Sequence, residues 1–118
     1  DYTFDMLRFV REGEDVPWRP AADTFPGWPK EAKAITMLDP CCGSGHFLTE
    51  ALAILAALRQ AEEHLSASDA VAAVLRDNLH GLEIDGRCVQ IAAFAVALSA
   101  WRIGGWQVLP VPQVAWVG

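Results

Sequence analysis

The residues best suited to chemistry stand in one run, Asp39-Pro40-Cys41-Cys42-Gly43-Ser44-Gly45-His46-Phe47-Leu48. A carboxylate comes first, two glycines follow, and an apolar helical pattern starts at once after them. Glycine permits positive φ and a close backbone approach to a ligand, while the free amides of a helix start favour a negatively charged group. A turn of this kind holds a ligand, and nucleotide-type ligands are the usual occupants. The dinucleotide pattern G-x-G-x-x-G/A is not met, because Leu48 takes the third glycine's place and Glu83 lies far beyond the usual spacing of about twenty residues. A P-loop is not met either, since no Gly-Lys-Ser or Gly-Lys-Thr follows.

The second constellation is Gly81-Leu82-Glu83-Ile84-Asp85. Its two carboxylates alternate across a strand end and a helix cap, so they point different ways and make no acid–base pair. Asp85 is assigned to capping. Cys41 and Cys42 lack companion ligands for a metal and read as small residues filling a tight turn; Cys88 is assigned to the core. His46 suits either a contact with a ligand carboxylate or solvation at the helix start, and His64 and His80 are read as structural. No residue is assigned to catalysis or to metal binding.

These residues need a frame. Ile35–Asp39, short and partly β-branched before Pro40, predicts a strand. Phe47, Leu48, Ala51, Leu52, Leu55 and Leu58 recur at helical steps and predict a helix to about His64. Ser66, with Asp69 three residues on, predicts a capped second helix ending near Asn78. Leu79–Ile84 reads as the second strand, 86–102 as a helix stopped by Gly104 and Gly105, and Gln113–Val117 as a third strand. In the helix over 86–102 only Arg87, Gln90, Ser99 and Arg102 are polar to any extent, so it expects cover on every side. Residues 1–10 leave helix and strand open. From Arg11 to Lys33 the four prolines, with WRP and FPGWP, predict a loop that Trp18 and Trp28 could pin.

The order of elements is that of an open α/β sheet with crossover helices. At both motifs the sequence resembles class I S-adenosylmethionine-dependent methyltransferases, whose first motif runs acid, then Gly-x-Gly, between first strand and first helix. The form DPCCGSGHFL resembles the DNA adenine-N6 subgroup. Over residues 35–103 the likeness continues through LRDNLHGLEID and RCVQIAAFAVALSAWR to the large methyltransferases of bacterial restriction and phage-exclusion systems.

The resemblance implies a partial Rossmann-like fold, three-layered, with an open, mainly parallel sheet incomplete in this chain. Residues 1–34 would be an extension and 35–118 the cofactor-binding half. It implies that Gly43 and Gly45 wrap the methionine part of S-adenosylmethionine, with Cys41 in the same turn, and that Asp39 orients the turn and approaches the cofactor's amino group, directly or through water. Glu83 would accept from the ribose hydroxyls, and Ile84 would lie against the adenine. Phe47 has two claims on it, the cofactor and the helix core. The family's Asn-Pro-Pro-Tyr type motif, which holds the flipped adenine, has no NPP, DPP or SPP counterpart here. Its upstream phenylalanine motif has only Phe4 to suggest it. The implied protein is thus a cofactor-binding fragment whose intact parent methylates adenine by direct displacement at the sulfonium methyl. A non-catalytic methyltransferase-like module, or an enzyme acting on protein or RNA, are the alternatives.

Charge restricts the partners. Nine basic residues against fifteen acidic ones give a net charge of −6 with no basic run, so this chain has no phosphate-backbone grip of its own. DNA contact would fall to other parts of the parent. The five tryptophans lack the basic groove that base stacking needs and are assigned to packing. Three cysteines fit no disulfide framework, and no apolar stretch reaches the roughly 20 residues a bilayer requires, so a soluble, cytoplasmic protein is expected. The apolar helix over 86–102 predicts self-association when left uncovered.

Overall fold

The computed structural model describes residues 7–118; Phe4 and most of the undecided first segment lie outside them. The described chain opens with a two-stranded antiparallel ribbon, β1 (Phe9–Val10) and β2 (Arg19–Pro20). Here the expected loop is corrected in part. Pro20 ends a strand because a two-stranded ribbon needs no amide donor on its outer side. Trp18 packs under the Arg11 guanidinium, 4.7 Å from the ring centre, and Trp28 meets Phe25 edge-on at 5.2 Å. Both tryptophans stay exposed, holding the segment to itself.

A 3-10 turn over Ala32–Ala34 leads into β3 (Met37–Asp39), then α1 (His46–Glu63), α2 (Ala67–Asp77), β4 (Leu79–Glu83), α3 (Gly86–Gly104) and β5 (Val114–Trp116). The caps follow the sequence. His64 ends α1 with a left-handed φ of 57°, Ser66 Oγ accepts from the Asp69 amide at 3.0 Å, and Asp85 Oδ1 accepts from the Arg87 amide at 2.8 Å. Gly105 ends α3 at a φ of 83°.

The three later strands form a parallel sheet in the order β3-β4-β5, pairing Asp39 with Gly81 and Glu83 with Trp116. Leu48, Leu52, Val71, Val74, Leu75 and Val96 form the core between sheet and helices. Burying each large aliphatic side chain contributes about 2 kcal/mol. Alternation places Leu79 and Gly81 toward this core. A Cβ on Gly81 would stand 2.9 Å from Leu48 Cδ1 and 3.2 Å from Cys42 Sγ, so a larger residue there would displace these packed side chains.

The expected three layers are not found among the described residues. All three helices share the one core, and Leu38 and Ala115 on the other side of the sheet are exposed. The topology explains this: right-handed crossovers that step the same way, β3 to β4 to β5, put every helix on one face. In α3, Ala92, Val96 and Ala100 are buried while Ile91 and Phe94 are exposed, so the helix is covered along one side instead of all round. Cys88, expected in the core, is only half-buried, because the first turn of α3 rises toward the open end of the sheet.

One buried polar network fixes the approach to β3. Arg59, almost wholly buried, donates from Nε to Glu63 Oε2 at 2.6 Å and from Nη1 to Asp77 Oδ2 at 2.9 Å and Asn78 Oδ1 at 3.3 Å. Asn78 Nδ2 in turn donates to the carbonyls of Ala32 and Ile35 at 2.9 and 2.6 Å. Helices α1 and α2 are thereby tied to the segment that delivers Asp39.

Candidate functional site

Parallel strands end together, and in open α/β sheets ligands bind outside those carboxyl ends. Asp39, Glu83 and Trp116 all stand there. From Asp39 the chain folds into a tight turn. Asp39 Oδ1 accepts from the Cys41 amide at 3.1 Å, the Cys42 amide donates to the Leu82 carbonyl at 3.0 Å, and the Gly45 amide closes on the Cys42 carbonyl at 2.9 Å. Gly43 has a φ of 54° and faces open space where a side chain would stand. Gly45, at a φ of 89°, would bring a Cβ within 3.2 Å of the Ala92 backbone, so it is required twice over.

Glu83 closes the arrangement from the neighbouring strand. Its Oε2 accepts from the Gly43 amide at 2.8 Å, and its Oε1 accepts from the amides of Ile84 and Asp85 at 2.8 and 3.0 Å. The Asp85 and Gly43 amides, then that of Ile84, hold the carboxyl below the usual carboxylate range. It is therefore ionised at neutral pH, and Oε2, with one bond made, keeps a lone pair for another donor. Asp39 Oδ2 is buried and lacks a hydrogen-bond partner among the described residues. A buried orphan acceptor is costly unless a donor completes it.

Cys42 is buried beneath the turn, and burial, together with the Asp39 and Glu83 carboxylates, pushes its thiol up. The protonated thiol is a packing group and no nucleophile. Among the described residues no group of three or more His, Cys, Asp or Glu could hold a metal ion.

The residues singled out from sequence thus divide. Asp39, Gly43, Gly45 and Glu83 come together around one turn, with Cys41 exposed on its outer side. Phe47 is 74% exposed and Ile84 73% exposed. Leu48 fills the core at the head of α1, which leaves Phe47 outward. His46 is exposed at the first position of α1. Sequence reasoning missed Trp116. Its indole Nε1 donates to the Ile84 carbonyl at 2.8 Å, and the next amide, Val117, donates to the Glu83 carbonyl at 3.0 Å. Only the register of β5 against β4 reveals this, and a three-residue strand carries no such signal.

With this geometry in view, the family comparison is decisive: the model for the DNA-methyltransferase domain of MmeI matches residues 26–105. The chain belongs to the MmeI DNA-methyltransferase family. The matched span runs from the FPGWP segment to the end of α3 and includes both motifs. Among proteins similar to this family member, the adenine-specific methyltransferase BrxX of Escherichia coli O9:H4 (strain HS) is 41% identical over 70 residues, 59% of this chain and 6% of its own length. The adenine-specific methyltransferase PglX of Lacticaseibacillus casei (strain Zhang) is 38% identical over 73 residues, 62% of this chain and again 6% of its own. The type II methyltransferase M.VspI of Vibrio sp. (strain 343) is 50% identical over 54 residues, 43% of this chain and 13% of its own. The chain therefore spans a small part of these methyltransferases.

Two solved structures are similar as well. One is the type ISP restriction-modification enzyme LlaGI, a nuclease-deletion mutant in complex with a DNA substrate mimic, with a TM-score of 0.56 and 28% identity over 71% of this chain and 7% of that one. The other is the ATP-dependent type ISP enzyme LlaBIII bound to DNA, with a TM-score of 0.57 and 26% identity over 71% of this chain and 6% of that one. No helix among the described residues is long and apolar enough to cross a membrane.

Proposed function

We propose that this chain is the S-adenosylmethionine-binding part of an adenine-N6 DNA methyltransferase. Residues 35–118 form the cofactor-binding half of a Rossmann-like domain, and 1–34 are an extension to it. The observation that carries this reading is the pairing of an orphan acceptor, Asp39 Oδ2, with an open glycine turn that Glu83 holds from the next strand. The donor set fits the cofactor. Asp39 approaches the amino group, directly or through water, Gly43 and Gly45 with Cys41 border the methionine part, and Glu83 Oε2 accepts from the ribose. Ile84 and Phe47, both outward-facing, offer apolar surface to the adenine side and the mouth of the site.

When bound, S-adenosylmethionine supplies an electrophilic methyl group on sulfonium sulfur. The chain's own task would be alignment: the glycine turn and the ionised Glu83 carboxylate would hold the two ends of the ligand. The adenine substrate, and DNA as the partner, are inferred from the names of the adenine-specific relatives and from the DNA-bound neighbours. With a net charge of −6, DNA contact is assigned to parts of the parent beyond this chain, in a cytoplasmic enzyme. Exposed Ile91 and Phe94 on α3 make self-association the expected state of the chain alone.

Calorimetric titration of S-adenosylmethionine into the chain and its Glu83→Ala variant tests the assignment. Saturable binding to the parent, weakened about tenfold or more in the variant, is expected. Equal affinity for both would remove Glu83 from the site.

A further inference from the structure

Trp116 lies outside both motifs, and nothing in them requires an indole at the end of β5. Yet its position is defined. It is the register partner of Glu83 and donates through Nε1 to the Ile84 carbonyl at 2.8 Å, while the adjoining Val117 amide bonds the Glu83 carbonyl at 3.0 Å. A Cβ on Gly86 would come to 4.0 Å from Nε1, so the first residue of α3 also abuts this ring. The residue is 64% exposed and takes no part in the core. A large aromatic side chain left in solvent adds little to folding, so its hydrogen bond to the β4–α3 turn is the effect to explain.

That turn carries Glu83 and Ile84, the two residues assigned above to the ribose and the adenine. The Ile84 side chain is outward, and its carbonyl lies beyond the last register pair of β4 with β5, where the Trp116 indole meets it. We propose that Trp116 is a positioning residue for the adenosine half of the cofactor. By holding the Ile84 carbonyl it sets the direction of the Ile84 side chain and of the Glu83 carboxylate, which is bonded to the Ile84 amide. The inference rests on the cofactor reading of the site, and it assigns the third strand a share in adenosine recognition.

Trp116→Phe keeps an aromatic ring and removes the N–H. Calorimetry with S-adenosylhomocysteine and with 5′-methylthioadenosine, which lacks the amino-acid end, reads the effect, and Asp39→Asn serves as the contrast. Losing one hydrogen bond that orders a site weakens binding about fivefold. The expected result is an equal loss of about that size for both ligands in Trp116→Phe with an unchanged melting temperature. Asp39→Asn should weaken S-adenosylhomocysteine alone. Parent-like affinity in Trp116→Phe overturns the inference and leaves the cofactor reading standing, as does a loss that appears only with a lowered melting temperature. A parent chain that binds neither ligand overturns the cofactor reading, and this inference with it.

Discussion

The Glu83 carboxylate accepts the Gly43 amide at 2.8 Å across the gap between β4 and the turn after β3. Forty residues apart in sequence, they make one unit. Gly43 itself takes a φ of 54°, and no atom lies within 4 Å of where a Cβ would stand. Gly43→Ala is therefore expected to cost only the left-handed backbone penalty, about 1 kcal/mol, in urea denaturation. Its effect on S-adenosylmethionine binding should be larger, since in the proposed site the added methyl enters the space assigned to the ligand.

Gly45→Ala should behave differently. Positive φ and a Cβ 3.2 Å from the Ala92 backbone act together, so α1 must move away from α3. A stability loss clearly exceeding that of Gly43→Ala is predicted by the same denaturation measurement. The reverse ranking would contradict the packing described here.

Arg59 is a buried cation with three polar partners, and truncating it removes the guanidinium donor from Glu63 and from Asn78 Oδ1, while Asp77 keeps Arg76. Arg59→Met should destabilise the fold by about 3 kcal/mol, in the range for breaking a buried ion pair. A change under about 0.5 kcal/mol, the level of a surface substitution, would show the network to be incidental.

The same network sets an acid limit. Arg59 lowers the Glu63 carboxyl, and Arg76 followed by Arg59 lowers that of Asp77, both below the usual carboxylate range. Carboxyls depressed on folding stabilise fully at neutral pH, and the contribution is lost as pH falls through their lowered folded values. The urea midpoint should thus hold steady to about pH 5 and fall below about pH 4. In Arg59→Met the fall should be shallower. A wild-type midpoint that stays level or rises toward pH 3 would count against the ion pairs.

Both motif turns were legible in the sequence because glycine, proline and capping residues act locally. Ser66, Asp85 and Gly105 end or start helices where their chemistry predicts. What could not be read was anything set by strand register or by which face a crossover takes. The single helical layer and the contact of Trp116 with Ile84 follow from the β3-β4-β5 order, which no local pattern encodes. The ribbon of β1 and β2 was hidden for another reason: Pro20 looks like a breaker until its edge position is known. Asp39 was singled out as an acid of the motif, but its unpartnered Oδ2 depends on burial that only packing reveals.

The central claim is that the carboxyl edge of this sheet binds S-adenosylmethionine. Amide-resolved NMR of the chain during titration with S-adenosylhomocysteine tests it most directly. The account predicts shifts concentrated at Cys41–Gly45, Glu83–Asp85 and the Trp116 indole, with Phe9–Trp28 unmoved. An unchanged spectrum at saturating ligand, or shifts centred on the Phe9–Trp28 segment, would contradict it.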